Sequence, residues 1–249
     1  MILQLYSPED SYTNPFRRSV VTWYARYDVM AGLMAGNATV LSREWYTALE
    51  GGCREDSRNH PDDVSKQVAS WVACNRLFAM DMASFFAKVL HELLSPEAFA
   101  TESQNLANSV EELGFRLDAM KDSRYLVTSF PHQRPLGSED IVDPYVPGVI
   151  YGDPLFEVNQ CMLDYFGGVL MYKYQFSLLL PNQDMSAELR DLAYNACRVL
   201  EAMWRLPTFP PESALLCHSI VGFVPLFLPS DEAHQMWMRR RVAKIEQLG

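Results

Sequence analysis

Residues 17–46 read RRSVVTWYARYDVMAGLMAGNATVLSREWY, and two helices follow from that stretch alone. Apolar and aromatic residues at Val20, Trp23, Tyr24, Tyr27, Ala31 and Met34 recur at three- and four-residue spacing, which predicts a helix with one broad face turned toward a core. Pro15 suits its first turn. Gly36-Asn37 suits its end, because both residues accept the left-handed backbone that closes a helix. A second helix is predicted from Ser42, whose hydroxyl is expected to cap it. Arg26 and Asp28 flank Tyr27 on the apolar face. Asp28 is therefore expected at the rim of the core, paired with a basic side chain such as Arg43.

Outward from that pair, Gly51 to Pro61 is polar and reads as a turn-rich boundary, with His60 restricted by the proline that follows it. From Asp62 to about Leu94, Val68, Trp71, Cys74, Phe78, Met82, Phe85, Phe86, Val89 and Leu93 keep helical spacing, and Asp62 and Asp63 favour the positive helix end. Ser95-Pro96 reads as a cap followed by a first-turn proline, opening a helix to about Met120 with Leu106, Val110, Leu113 and Leu117 on one side. From Lys121 to Pro154 the periodicity stops and prolines recur at 131, 135, 144, 147 and 154. Tyr125, Phe130, Ile141, Tyr145, Val149 and Tyr151 are too many for a solvated linker, so this segment is expected to pack on the helices over a groove, with 133–140 its least protected part.

The second half is again helical. One face carries Val158, Cys161, Met162, Tyr165, Val169, Tyr172, Phe176 and Leu179; the next carries Leu189, Leu192, Ala196, Val199, Met203 and Leu206, ended by Pro207. Gly167-Gly168 lies inside the first of these, where each glycine costs about 1 kcal/mol relative to alanine, so a close backbone approach or a bend is expected. A helix from Glu212 to Leu228, kinked or ended near Pro225, and a last one capped by Ser230 and running to about Leu248 complete the reading. The fold class is all-α: a single multi-helix domain over residues 1–249 with one long proline-rich irregular connection at about 121–154.

The chain has 249 residues, about half of them apolar, and can bury a sizeable core. Its formal charge of −10 argues against a surface that tracks phosphates, which needs clustered Lys and Arg. Cys53, Cys74, Cys161, Cys197 and Cys217 are far apart and read as reduced, mostly buried thiols, without a disulfide framework. The opening MILQLYSPED is too short an apolar stretch for a signal peptide. The apolar run from Ala214 to Leu228 is broken by His218, Gly222 and Pro225 and falls short of the ~20 residues a membrane span needs.

WYARYD at 23–28 followed by LSREWY at 41–46 resembles the middle homology region of the fungal zinc-cluster transcription factors. NRLFAMDMASFFAKV at 75–89, VTSFPHQRPL at 127–136, DIVDPYVPG at 140–148 and LPSDEAHQMWMRRRVAKIEQLG at 228–249 resemble the same family in the same order. The resemblance implies an all-α regulatory domain in the nucleus that controls transcription through self-association as a homodimer, through transcriptional cofactors, and through a small apolar effector in its helical core. The six-cysteine zinc cluster of that family has no counterpart in this sequence: no CxxC occurs, and zinc sites need ligands paired at close spacing. No cofactor is therefore expected in this chain, zinc belonging to an absent DNA-binding module. The chain is expected to be a fragment or a homologue without that module, making no direct contact with nucleic acid.

Chemistry-bearing patterns are sparse. His91-Glu92 lacks the second histidine of a zincin, there is no GxSxG, and neither Gly51-Gly52 nor Gly167-Gly168 has phosphate-loop spacing. The candidate effector pocket is assigned to Tyr24, Tyr27, Phe78, Met82, Tyr165 and His218, His218 supplying a polar anchor among apolar walls. The alternative for His218 is a core histidine bonded to a neighbour, and for the chain as a whole it is a helical enzyme with a buried small-molecule site. Arg239, Arg240 and Arg241 read as a solvated helix face or as a contact for import or an acidic partner.

Overall fold

The structure, a computed structural model, describes residues 7–179, 184–210 and 213–247. It is all-α: among the described residues the only strand-like pairing is an isolated antiparallel bridge between Leu126 and Tyr151. The helices are α1 (Pro8–Thr13), α2 (Pro15–Ala35), α3 (Arg43–Asn59), α4 (Val64–Leu90), α5 (Pro96–Met120), α6 (Phe156–Leu179), α7 (Ser186–Trp204), α8 (Ser213–Leu216), α9 (His218–Phe223) and α10 (Glu232–Glu246), with short 3-10 turns at Ser123–Tyr125 and Val224–Phe227. Where the sequence reads as one domain, the chain's contacts gather into two compact units, Met1–Met120 and Lys121–Gly249.

In the first unit local signals work as expected at most helix ends. The Asn14 side chain accepts from the N–H groups of Phe16 and Arg17, Pro15 takes the first position of α2, and Gly36 closes it at φ +66°. Asp63 caps α4 through Ser65 and Lys66, and Ser95 Oγ accepts from Ala98 at 3.2 Å to start α5. Ser42 stands at the N-cap of α3 but makes no side-chain cap bond. The expected boundary at His60 holds, with a turn at 61–62, but residues 51–59, read as turn-rich, are helical. There α3 runs through Gly51-Gly52 to Asn59, with Glu50 held by Arg54 one turn later at 2.6 Å and Leu49 and Ser57 buried, so packing overrides two glycines of low propensity. Because α4 ends at Leu90, Leu93 lies beyond it and is exposed.

The face of α2 turned inward is not the one its large residues suggest. Trp23, Tyr27 and Met34 are exposed at 63%, 43% and 81%, whereas Val21, Ala25, Asp28, Val29 and Gly32 are buried. Those inner residues pack with Leu41, Trp45, Tyr46, Leu49 and Met80 from the following strap, α3 and α4. Asp28 does not pair with Arg43. One of its oxygens accepts from Val40 N–H at 2.8 Å, and the other accepts from Leu41 N–H at 2.8 Å and from the Tyr46 hydroxyl at 2.9 Å. Burial, reinforced by the neighbouring Asp28 charge, pushes the Tyr46 phenol well above its usual range, so it stays a proton donor to the carboxylate. Arg43 forms a bidentate pair with Asp81 on α4 instead. Trp71 on α4 donates its indole N–H to the Leu113 carbonyl at 3.0 Å, and Phe85 stacks near Phe99, which ties α5 to α4.

The second unit begins with the proline-rich segment, which is irregular and packed, as expected. Phe130, Val142, Ile150 and Tyr151 are buried, and Val127, Ile141, Tyr145 and Val149 lean on the same core as α6, α7 and α9. Its backbone groups find partners without a sheet: Val127 N–H donates to Ile150 O, Gly152 N–H to Tyr125 O, and the fully buried Asn159 amide on α6 both accepts from Tyr151 N–H and donates to Tyr151 O at 2.8 Å. Gly167 shows the expected close approach, since a Cβ there would lie 2.8 Å from Ile220 Cδ1 and 2.9 Å from Phe223 Cζ. The region expected as one helix to Leu228 is broken into α8, α9 and a 3-10 turn holding Pro225; its expected start at Glu212 lies outside the described residues. Asp231 rather than Ser230 caps α10, accepting from His234 N–H, and the expected end at Leu248 also lies outside the described residues.

Buried charge links this unit's elements. Glu201 on α7 accepts from the Trp237 indole at 2.8 Å and from two guanidinium nitrogens of Arg241, and Arg205 reaches both Glu201 at 3.8 Å and Asp140 at 3.6 Å. Asp140 takes a bidentate bond from Arg134 and the Gly137 N–H. Burial by itself would raise the Asp140 carboxyl, but those donors more than offset it and hold the carboxyl below its ordinary value. The arginine run is thus divided: Arg239 and Arg240 are exposed, while Arg241 is committed to Glu201.

Three outcomes follow from this packing. Asp28→Ala leaves two main-chain donors and a phenol unsatisfied, each costing about 1–3 kcal/mol, so urea unfolding of that variant should show a loss of roughly 3 kcal/mol or more, whereas Arg43→Ala, which removes a surface pair, should stay within about 1 kcal/mol. Gly167→Ala should destabilise by about 1–3 kcal/mol through overpacking, while Gly51→Ala, with no atom within 4 Å of the added Cβ, should stabilise by about 0.5–1 kcal/mol. Limited proteolysis should cut the proline-rich segment first at 131–138, where Pro131, His132, Gln133, Pro135, Leu136 and Ser138 are exposed. Equally early cuts at Tyr145 and Tyr151 would contradict a packed segment.

Candidate functional site

The first unit carries a groove of about 710 Å³, within the size range of ligand sites. Three pieces of chain far apart in sequence form it: the strap at 38–43, the α4 residues Met80, Asp81, Ser84, Phe85 and Lys88, and the α5 residues from Glu102 to Glu112. Leu41, Met80, Phe85 and Leu106 are buried and make an apolar floor. The strap reaches this position because Asp28 holds its Val40 and Leu41 N–H groups, and Thr39 Oγ1 donates back to the Leu41 carbonyl at 2.8 Å.

The walls are polar and internally paired. Arg43 binds Asp81 at 2.7 and 3.0 Å, a contact that raises the guanidinium's already high pKa. Lys88 binds Glu102 at 3.0 and 2.9 Å, across the space between α4 and α5. Glu112 lies 3.8 Å from Arg116 and 3.9 Å from Arg54. Asn105, Asn108, Ser84 and Ser109 add amides and hydroxyls, and no His, Cys or Tyr lines the groove. With every lining carboxylate beside a cation, the groove offers hydrogen bonds around an apolar floor and no poised acid, base or nucleophile.

The six residues assigned to an effector pocket divide between the units. In the first, Tyr24 is half-buried against the α2–α3 core, Tyr27 is exposed, and Phe78 and Met82 are buried at 3% and 0%. In the second, Tyr165 is half-buried and His218 is exposed at the first position of α9, so His218 is not a core histidine. None of the six lines the groove, nor a 210 Å³ cavity beside Cys53, Asp56 and Arg76, nor a 620 Å³ one beside Met185, Leu189 and Phe227. Phe78 and Met82 are core.

Two further arrangements bear on chemistry. The five cysteines are free, three of them buried, and burial pushes the thiols of Cys53, Cys74, Cys161 and Cys197 up, which disfavours the nucleophilic thiolate. In the second unit Asp231, His234 and Tyr194 form a chain: His234 Nδ1–H donates to Asp231 at 2.7 Å, leaving Nε2 to accept from the Tyr194 hydroxyl at 2.9 Å. Burial raises the Tyr194 phenol, the opposite of activation, and none of the three cavities is lined by any member of the chain. The groove itself left no sequence signal, since its walls come from three separate segments, at 38–43, 80–88 and 102–112. Glu201 did leave one, as an acid within the apolar stripe Val199, Leu200 and Met203 of α7. No helix among the described residues is long and apolar enough to cross a membrane, and none of their His, Cys, Asp and Glu side chains group to hold a metal ion. No protein-family model, curated protein or solved structure matches this chain.

Proposed function

We propose that this chain is a regulatory domain of the fungal zinc-cluster transcription-factor type, working in the nucleus through contacts with transcriptional cofactors and with itself rather than by catalysis. The observation that carries the reading is the groove: an apolar floor ringed by paired charges, amides and hydroxyls suits a peptide segment of a cofactor, whose main chain needs hydrogen bonds and whose side chains need an apolar seat. The ordered run of family-like segments from WYARYD to the C-terminal LPSDEAHQMW supports the same reading. A small apolar effector fits the groove less well, because most of the lining is polar and only Leu41, Met80, Phe85 and Leu106 would offer it an apolar seat.

A tethering experiment tests this. Fused to an unrelated DNA-binding module in a fungal cell, the full chain should raise or lower a reporter that the module alone leaves unchanged. Lys88→Ala together with Arg43→Ala should abolish the change, while a loss of only about 2 kcal/mol or less in stability is expected from removing two pairs at the protein surface. A reporter that never responds to the tethered chain would remove the regulatory reading.

A further inference from the structure

The outer face of α2 carries six large apolar residues, Phe16, Val20, Trp23, Tyr27, Met30 and Met34, at successive spacings of four, three, four, three and four. That is the heptad seam of a helix made to lie along another helix. Val20 and Met30 are half-buried, and Phe16, Trp23, Tyr27 and Met34 are exposed at 76%, 63%, 43% and 81%. A tryptophan this open is unusual, because the residue is highly buried on average. Trp23 and Tyr27 already pack against each other at 4.7 Å between ring centres, their planes tilted by 53°, so two rings of the kind that dominate interfaces are held in place.

We propose that this seam pairs with the same seam of a second copy of the chain, α2 against α2 in antiparallel register about a two-fold axis near Ala25. The proposal rests on the self-association part of the reading above. The positions are symmetric about residue 25, so antiparallel pairing sets Phe16 against Met34, Val20 against Met30 and Trp23 against Tyr27. Each end then becomes a thioether against an aromatic ring, a favourable contact, and the centre becomes a cluster of four rings. The helix dipoles oppose each other, and the Arg17 residues of the two copies lie at opposite ends of the pair, whereas a parallel pair would set them side by side. The area is sufficient. At roughly 150–250 Å² per large side chain, the observed exposures amount to about 500 Å² for each copy. Two copies then bury up to about 1,000 Å², the least that a specific interface should clear, and such a patch is as large as the largest on a typical monomer.

Sedimentation velocity of the full chain over a concentration series is the test. The wild type should pass from 28.4 kDa to twice that mass. Trp23→Lys with Tyr27→Lys should stay monomeric, and Trp23→Ala with Tyr27→Ala, which keeps helix propensity, should weaken dimerisation at least tenfold per ring removed. A wild type that is monomeric at every concentration, or a dimer that survives both double variants, overturns the proposal. Hydrogen exchange on the wild type guards against misfolded variants: amides of residues 15–35 should gain protection as concentration rises, and unchanged protection alongside a dimer places the interface elsewhere. A monomer with an active reporter would sink the seam alone, and a silent reporter with an intact dimer would sink the regulatory reading alone.

Discussion

A carboxylate inside a helical core must have its lone pairs filled, and in the first unit that requirement organises everything around Asp28. Three donors converge on it, two from the strap after α2 and one from Tyr46 on α3. To reach them, α2 must turn its Asp28 side inward, which carries Val21, Ala25, Val29 and Gly32 into the core. The outer seam is exposed as a consequence: Tyr27 lies about 100° around the helix from Asp28 and cannot be buried in the same core. The groove depends on the same carboxylate, because the strap it anchors supplies Leu41 to the floor and Arg43 to the wall.

The second unit meets the same constraint with Glu201 and Asp140. A proline-rich segment cannot form a ladder of its own, so its main chain is closed by a few cross-segment bonds and by the Asn159 amide. Arg205 then joins Asp140 in that segment to Glu201 in α7, and Arg241 on α10 completes the set. Each charge has an opposite neighbour, which is what allows two carboxylates to sit at 2% and 4% side-chain exposure. Lys244, over the Trp204 ring at 4.6 Å, is the one whose ammonium is pushed down, first by burial and then by Arg241 nearby.

How legible each feature was follows from how far apart its parts lie. Helix ends set by neighbours a few residues away, at Asn14, Gly36, Asp63 and Ser95, can be read from the chain, as can the close approach at Gly167, because a glycine pair inside a helix is costly unless something needs the space. The continuation of α3 through Gly51-Gly52 could not, since burial of Leu49 and Ser57 against other helices outweighs a propensity cost of about 2 kcal/mol for two glycines. The choice of face on α2 failed for a related reason. Both faces are apolar and both have helical spacing, and the outer one holds the larger residues.

The amino-acid sequence by itself determined the all-helical class, most helix boundaries and the packed, irregular character of 121–154, because these rest on periodicity, capping and proline chemistry within a few residues. Only the tertiary structure decided the rest: which side of α2 is inside, that Arg43 belongs to Asp81, that Arg241 belongs to Glu201, and that the groove exists. Each of these depends on donors and acceptors brought together from 12 to 40 residues away, and whether a buried charge is tolerated depends on partners that sequence spacing does not reveal.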